Sequence, residues 1–140
     1  MSNVALTPEE YVEVVNLYAA LNLSSDEGDA EWYASCFTED GVLHGTHEVK
    51  GRAALKAWKQ KDKATRTNLY RRHWNGSLHL EKLDADTIRG RCYLLAYNGV
   101  PGKYPEVTHA GVYTDTIKRE NGRWRFADRL LRFDAAPVRK

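Results

Sequence analysis

The sequence predicts an α+β fold in which three N-terminal helices wrap a cone-shaped, curved sheet of antiparallel or mixed strands. Two observations support it: apolar residues recur at helical spacing in the first half, and the second half alternates with a period of two over four long segments. A run of helices followed by a run of strands is typical of α+β proteins. The 140 residues, 42% of them hydrophobic, are enough for one core, so we expect a single domain over residues 1–140.

The first helix begins with a strong capping signal. Thr7 can cap it, Pro8 fits the first helical position, and Glu10 completes a capping box. We expect the helix to weaken over residues 24–28. Its apolar positions are Val12, Val15, Tyr18, Ala19 and Leu23.

Shorter elements follow. Asp29 is placed to cap a second helix over Ala30–Phe37. Glu39, Asp40 and Gly41 indicate a turn, and short strands at 42–44 and 46–50 would form a small hairpin. A third helix is predicted over residues 51–67, with Ala54, Leu55 and Trp58 as its buried stripe.

Four long strands complete the chain, at residues 71–83, 87–98, 106–118 and 123–134. The Asn121–Gly122 pair between the last two is a strong hairpin signal. Alternation then sorts the side chains by face. On the first long strand one face carries His73, Asn75, Ser77 and His79, and the other carries Trp74, Leu78 and Leu80. On the third strand His109, Gly111 and Tyr113 share a face. On the last strand Arg129, Leu131 and Phe133 share a face.

Composition and motifs argue against several classes of protein. The net charge of +2 does not favour a nucleic-acid partner, and we expect none. The basic run from Lys56 through Lys59, Lys61 and Lys63 to Arg66 is interpreted as a solvated helix face rather than a phosphate site. Two distant cysteines show no metal-ligand spacing, and nucleotide-binding motifs are missing, so we expect no metal and no cofactor. No secretion signal or membrane-spanning stretch is evident, which predicts a cytoplasmic protein without a membrane partner.

Asp26, late in the first helix, and His73, at the start of a long strand, form the candidate catalytic pair. A carboxylate that orients an imidazole is a minimal proton-transfer device at neutral pH. Each residue has a simpler explanation, because Asp26 can be a turn residue and His73 a structural one. If Arg129 is buried, its charge needs a partner. The candidate partners are Asp26, a substrate and a structural carboxylate.

Several segments of the chain resemble the SnoaL-like branch of the nuclear transport factor 2-like superfamily. Within it the chain is most similar to cofactor-free lyases such as hexachlorocyclohexane dehydrochlorinase, scytalone dehydratase, bile-acid dehydratase and the lyases that release formaldehyde from lignin biaryls. The resemblance implies that Asp26 orients His73 as a general base, that Arg129 is the basic residue of the last strand, and that His109 is a second strand histidine. Leu21 departs from the helix lysine or tyrosine of these enzymes, so no exact substrate carries over. The segments are 17–21, 26–29, 36–42, 72–75 and 122–129.

The predicted function is therefore a cofactor-independent lyase that eliminates water, halide or formaldehyde from a small hydrophobic, aromatic substrate. His73 acts as base, Arg129 stabilises an oxyanion, and His109 or Tyr113 assists the leaving group. An isomerase or polyketide cyclase with the same base, and a non-catalytic binding or assembly subunit, remain open. We also expect a homodimer or homotrimer, formed through an apolar outer face that carries Trp74, Tyr93 and Tyr97. The predicted substrate-binding residues are Tyr18, Leu21, Trp58, Leu94, Leu131 and Phe133.

Overall fold

A computed structural model describes residues 4–138, so the two ends of the predicted 1–140 domain lie outside the described residues. The α+β class is confirmed: three helices in the first half of the chain accompany a six-stranded, mostly antiparallel sheet, two of whose strands lie between the second and third helices. The elements are α1 (Pro8–Glu27), α2 (Ala30–Ser35), β1 (Phe37–His44), β2 (Glu48–Lys50), α3 (Arg52–Ala64), β3 (Tyr70–Asp84), β4 (Thr87–Gly99), β5 (Glu106–Glu120) and β6 (Arg123–Phe133).

The sheet has the order β2-β1-β6-β5-β4-β3. Its pairs are antiparallel except for β1 beside β6, which is parallel, so the sheet is mixed. The helices pack on one face, and the core lies between them and the inward side chains of the strands. Its most buried members include Val14, Phe37, Leu55, Ile88, Ile117 and Phe126.

The first helix has the predicted start but a later end. Thr7 and Glu10 form the capping box, with each side chain bonded to the other's backbone N–H. The helix does not weaken at Ser24. It continues to Glu27 because Gly28 adopts the left-handed conformation, at φ 72°, that closes a helix without steric cost. Asp26 is thereby held in a regular last turn.

The segment that follows differs from the prediction at three points. Asp29 caps α2 as expected, by accepting a hydrogen bond from the Trp32 backbone, but α2 ends at Ser35. The predicted turn at residues 39–41 is wrong, because these residues belong to β1, whose pairing with β6 is irregular between Phe37 and Val42. The third helix is shorter than predicted at both ends and covers Arg52–Ala64.

Strand β3 carries a bulge that overturns part of the predicted face assignment. Its register with β4 shifts between Gly76 and His79, and Ser77 takes a positive φ of 55°. Before the bulge His73 and Asn75 turn inward, as predicted, and Trp74 is exposed. After it the phase is reversed, because the extra residue rotates the strand by one position. Leu80 is therefore buried, whereas His79 is exposed.

Candidate active site

A cavity of about 560 Å³ opens between the helices and the concave face of the sheet. Every helix and most of the strands supply part of its wall. This volume lies within the range of small-molecule sites. The lining side chains of the predicted site are Leu21, Trp58, His73, Leu94, His109, Tyr113, Arg129, Leu131 and Phe133.

Asp26 and His73 are joined by two hydrogen bonds at the edge of this cavity. The His73 ring Nδ1 lies 2.5 Å from Asp26 Oδ1, and the His73 backbone N–H donates to Asp26 Oδ2 at 3.0 Å. Because a carboxylate can only accept, the ring proton is on Nδ1. His73 Nε2 is left as the unprotonated nitrogen, on a side chain that lines the cavity. Asp26 is itself shielded, with its side chain 8% exposed.

Neighbouring contacts fix the end of α1 against α3 and β3. Arg66, which follows the end of α3, donates to the backbone carbonyls of Ser25 and Asp26 at 2.8 and 2.9 Å. Asn22 on α1 donates to Asn75 on β3 at 2.7 Å. These bonds hold the last turns of α1, and with them Asp26, against β3 and the segment that follows α3.

The electrostatic surroundings favour neutral His73. Burial lowers the pKa of His73 below its ordinary value, and the nearby charges of Lys59 and Arg71 lower it further, while Asp26 opposes them. Burial and the charges of His73 and Arg71 also lower the pKa of His109. Both imidazoles are accordingly neutral at physiological pH.

His109 and Tyr113 lie on β5, and both line the cavity. The His109 Nδ1 is 2.9 Å from the Thr108 hydroxyl. Burial raises the pKa of Tyr113, which keeps its hydroxyl protonated. The Tyr113 ring also stacks on the Arg129 guanidinium, whose Cζ lies 3.5 Å from the ring centroid.

Arg129 is almost fully buried, and its ionic partner is Asp115 rather than Asp26. Its Nε lies 3.3 Å from Asp115 Oδ1, and the other Asp115 oxygen accepts a 2.5 Å hydrogen bond from the Tyr18 hydroxyl. Burial raises the pKa of Asp115 to about 6, while Arg129 opposes that shift. Two guanidinium nitrogens, Nε and Nη2, are buried without a hydrogen-bond partner in the described part of the chain, although Nε is the atom in ionic contact with Asp115.

Tyr18, predicted to bind substrate, does not line the cavity. It lies beneath the cavity floor, bonded to Asp115 and packed edge-on against Phe126. The other five predicted binding residues do line the cavity: Leu21, Trp58, Leu94, Leu131 and Phe133.

Lys59 was not predicted as a site residue. The interpretation of Lys59 as part of a solvated helix face is wrong. Lys59 is 3% exposed and lines the cavity, with Nζ 2.9 Å from the Ser25 hydroxyl. The spacing carried a signal, since Leu55, Lys59 and Asp62 follow one another at intervals of four and three and so share one helix face. Tyr33 and Asp62 are two further lining residues that were not predicted.

No cluster of three or more potential metal ligands occurs within residues 4–138. Over the same residues no helix is long and apolar enough to cross a membrane.

Comparison with known proteins identifies relatives over nearly the whole chain. A family model described as a SnoaL-like domain matches residues 7–130. No curated protein gives a significant match.

Solved structures with this fold include a Mycobacterium tuberculosis protein of unknown function, which is 28% identical with a TM-score of 0.81 and covers 91% of this chain and 78% of its own. A Catenulispora acidiphila protein in complex with S-DNPA is 26% identical, has a TM-score of 0.79, and covers 91% and 96%. ActVI-ORFA of Streptomyces coelicolor, at 24% identity, shares the fold with a TM-score of 0.84, covering 94% and 100%.

Proposed function

The chain belongs to the SnoaL-like family, and on that premise we propose that it is a cofactor-independent lyase for a small hydrophobic, aromatic substrate. The observation that carries the proposal is the 2.5 Å contact between Asp26 and the Nδ1 of His73, with Nε2 left unprotonated on a cavity-lining ring. A base in this arrangement has its proton-accepting atom where a bound substrate would lie.

In the proposed elimination, His73 Nε2 removes a proton from a carbon of the substrate. The electron pair of the broken C–H bond forms a carbon–carbon double bond, and the leaving group departs from the adjacent carbon with its own pair. Asp26 stabilises the imidazolium that results, because its ionised carboxylate accepts a short hydrogen bond from the Nδ1–H group. For loss of formaldehyde, the base instead takes the hydroxyl proton of a hydroxymethyl group, and the O–H electron pair forms the carbonyl of formaldehyde. The carbon–carbon bond breaks, and its electron pair stays on the skeleton carbon, which then takes the proton back from the His73 imidazolium.

The remaining polar groups are assigned to the leaving group and to the negative charge that develops on the substrate. Tyr113, held protonated, and His109 are placed to donate a hydrogen bond or a proton to a leaving oxygen. Arg129 brings a permanent cation to the cavity wall, where water is scarce and a developing oxyanion gains most from it. The apolar wall of Leu21, Leu94, Leu131 and Phe133 favours an aromatic skeleton.

The test is a panel of aromatic compounds that carry a hydroxyl, a halide or a hydroxymethyl group next to an acidic proton. Loss of water is followed by mass spectrometry, and halide and formaldehyde are assayed directly. We expect turnover that falls by about 10²–10⁴-fold in His73→Ala, the usual contribution of a positioned base. His79→Ala is the matched control, because His79 lies on the same strand but is exposed.

The pH dependence of kcat/KM provides a second check. Neutral His73 is the active form, so the rate should fall as the pH falls through a pKa that burial has lowered below the ordinary histidine value. Rearranged products without a lost group would instead indicate an isomerase or cyclase. Ligand binding with no chemistry on any compound would indicate a binding subunit.

A further inference from the structure

Lys59 is a buried cation for which the proposed elimination has no use. Lysine is rarely this inaccessible unless it is fully paired, because removing an ammonium group from water is costly. Burial indeed lowers the pKa of Lys59 to about 8. Its presence in the cavity wall therefore needs an explanation.

Within residues 4–138, the partners of Lys59 leave one donor free. An ammonium group has three N–H bonds. One lies 2.9 Å from the Ser25 hydroxyl, and a second, longer contact of 3.4 Å reaches Asp62 Oδ2. The rings of Tyr33 and Trp58 flank the nitrogen at 4.5 and 4.7 Å from their centroids. The faces of these rings attract the cation, but they do not supply an oxygen that accepts the third hydrogen bond.

The charges around Lys59 do not balance. Asp62 is shared among three cations, because Arg66 just after α3 and Arg71 on β3 also pair with it, at 2.5 and 3.3 Å. Even when Asp26 is added, three cations face two carboxylates. Arg129 does not alter this surplus, because it is paired with Asp115. An anionic oxygen in the cavity next to Lys59 would restore neutrality.

We propose that Lys59 is a specificity-determining residue that selects substrates bearing an anionic oxygen, such as a carboxylate or an ionised phenol, on the aromatic skeleton. The inference rests on the proposed function for the identity of the site, and it names the substrate class. Lys59 and His73 lie on the same side of the cavity, since Lys59 bonds Ser25 and His73 bonds Asp26, the next residue of α1. The anionic group would therefore lie close to the reacting proton.

The test compares two inert ligands of one shape, 2-naphthoate and 2-naphthamide, which differ in a carboxylate and a neutral amide. Binding is measured at pH 7 by calorimetry and by the fluorescence of the protein. We expect the wild type to prefer the carboxylate by about tenfold or more, the scale of one hydrogen bond to a charged group. Lys59→Met should abolish this preference, because it weakens binding of the carboxylate far more than binding of the neutral amide.

Two further variants make the result specific. Lys56→Met is the matched control, since Lys56 lies on the same helix but outside the cavity, paired with Glu31; it should keep the preference. Lys59→Gln retains a donor for Ser25 without the charge, so it should lose the preference even if Lys59→Met is poorly folded. Equal binding of both ligands by the wild type, or an unchanged preference in Lys59→Gln, would overturn the proposal.

Because neither ligand can react, the outcome is independent of the lyase assay. A carboxylate preference that depends on Lys59, in a protein without lyase activity, would support the specificity assignment and refute only the reaction. Turnover that depends on His73, together with no preference between the two ligands, would refute only the role of Lys59.

Discussion

The substitution Asp26→Asn tests the most specific feature of the site, because it changes one atom of the pair and keeps its shape. Both Asp26 oxygens accept hydrogen bonds from His73, one from the ring and one from the backbone. An asparagine has only one accepting oxygen. If that oxygen keeps the backbone N–H, the amide NH₂ faces Nδ1 and forces the ring proton onto Nε2. The base is then blocked at the atom that must accept the substrate proton.

The magnitude follows from the two consequences of the change. A hydrogen bond to a charged group contributes about 1.5–3 kcal/mol, so losing it from the imidazolium costs roughly 10- to 150-fold in rate. The wrong tautomer adds to this loss, and for an oriented histidine the combined effect reaches about 10⁴-fold. We therefore expect kcat to fall by about 10²–10⁴-fold. Folding should be little affected, because the side chain keeps its volume.

Two measurements check this prediction. The first is turnover of a substrate found in the panel. The second needs no substrate: nitrogen NMR of the His73 ring should report a proton on Nδ1 in the wild type and on Nε2 in Asp26→Asn. Asp29→Asn is the control, because Asp29 is the cap of α2 and asparagine caps a helix equally well. An Asp26→Asn protein with the Nδ1 tautomer and a rate within about tenfold of wild type would refute the argument.

The remaining predictions concern the support of the site and its assembly. Asp115→Ala leaves the buried Arg129 charge without its partner and should lower the free energy of unfolding by about 3–5 kcal/mol in chemical denaturation. If Asp128→Ala, which removes a half-exposed carboxylate, lowers it by a similar amount, the burial argument is contradicted. The outer face of the sheet exposes Trp74 and Tyr93, at 63% and 59%, and we propose that it joins two or three copies of the chain. Light scattering should give a dimer or trimer that Tyr93→Arg dissociates, and a monomeric wild type would reject this.

The fold was accessible from the sequence because its strongest signals are local. The capping box at Thr7 and the change from helical to alternating periodicity do not depend on distant residues. The pairing of Asp26 with His73 was inferred mainly from a family resemblance. Local signals alone place each residue on its element but do not bring the two elements together.

Features that depend on tertiary packing escaped the sequence analysis. Residues 39–41 have turn chemistry, yet they form the irregular middle of β1, between the paired positions Phe37–Phe126 and Val42–Asp128. In the sequence Lys59 differs from the other lysines of its helix by its spacing from Leu55, and it becomes buried because the cavity closes over that face. In both cases the free energy that decides the outcome comes from contacts made across the fold.

The bulge at Ser77 makes β3 serve two purposes that a regular strand could not combine. Its first half supplies the proton acceptor of the pocket, and its second half supplies Leu80 to the hydrophobic interior. Deletion of one residue at this point would restore strict alternation, and either His73 or Leu80 would then have to turn outward. The two halves can consequently accept substitutions independently, so the pocket can acquire new chemistry while the interior that stabilises the protein stays intact.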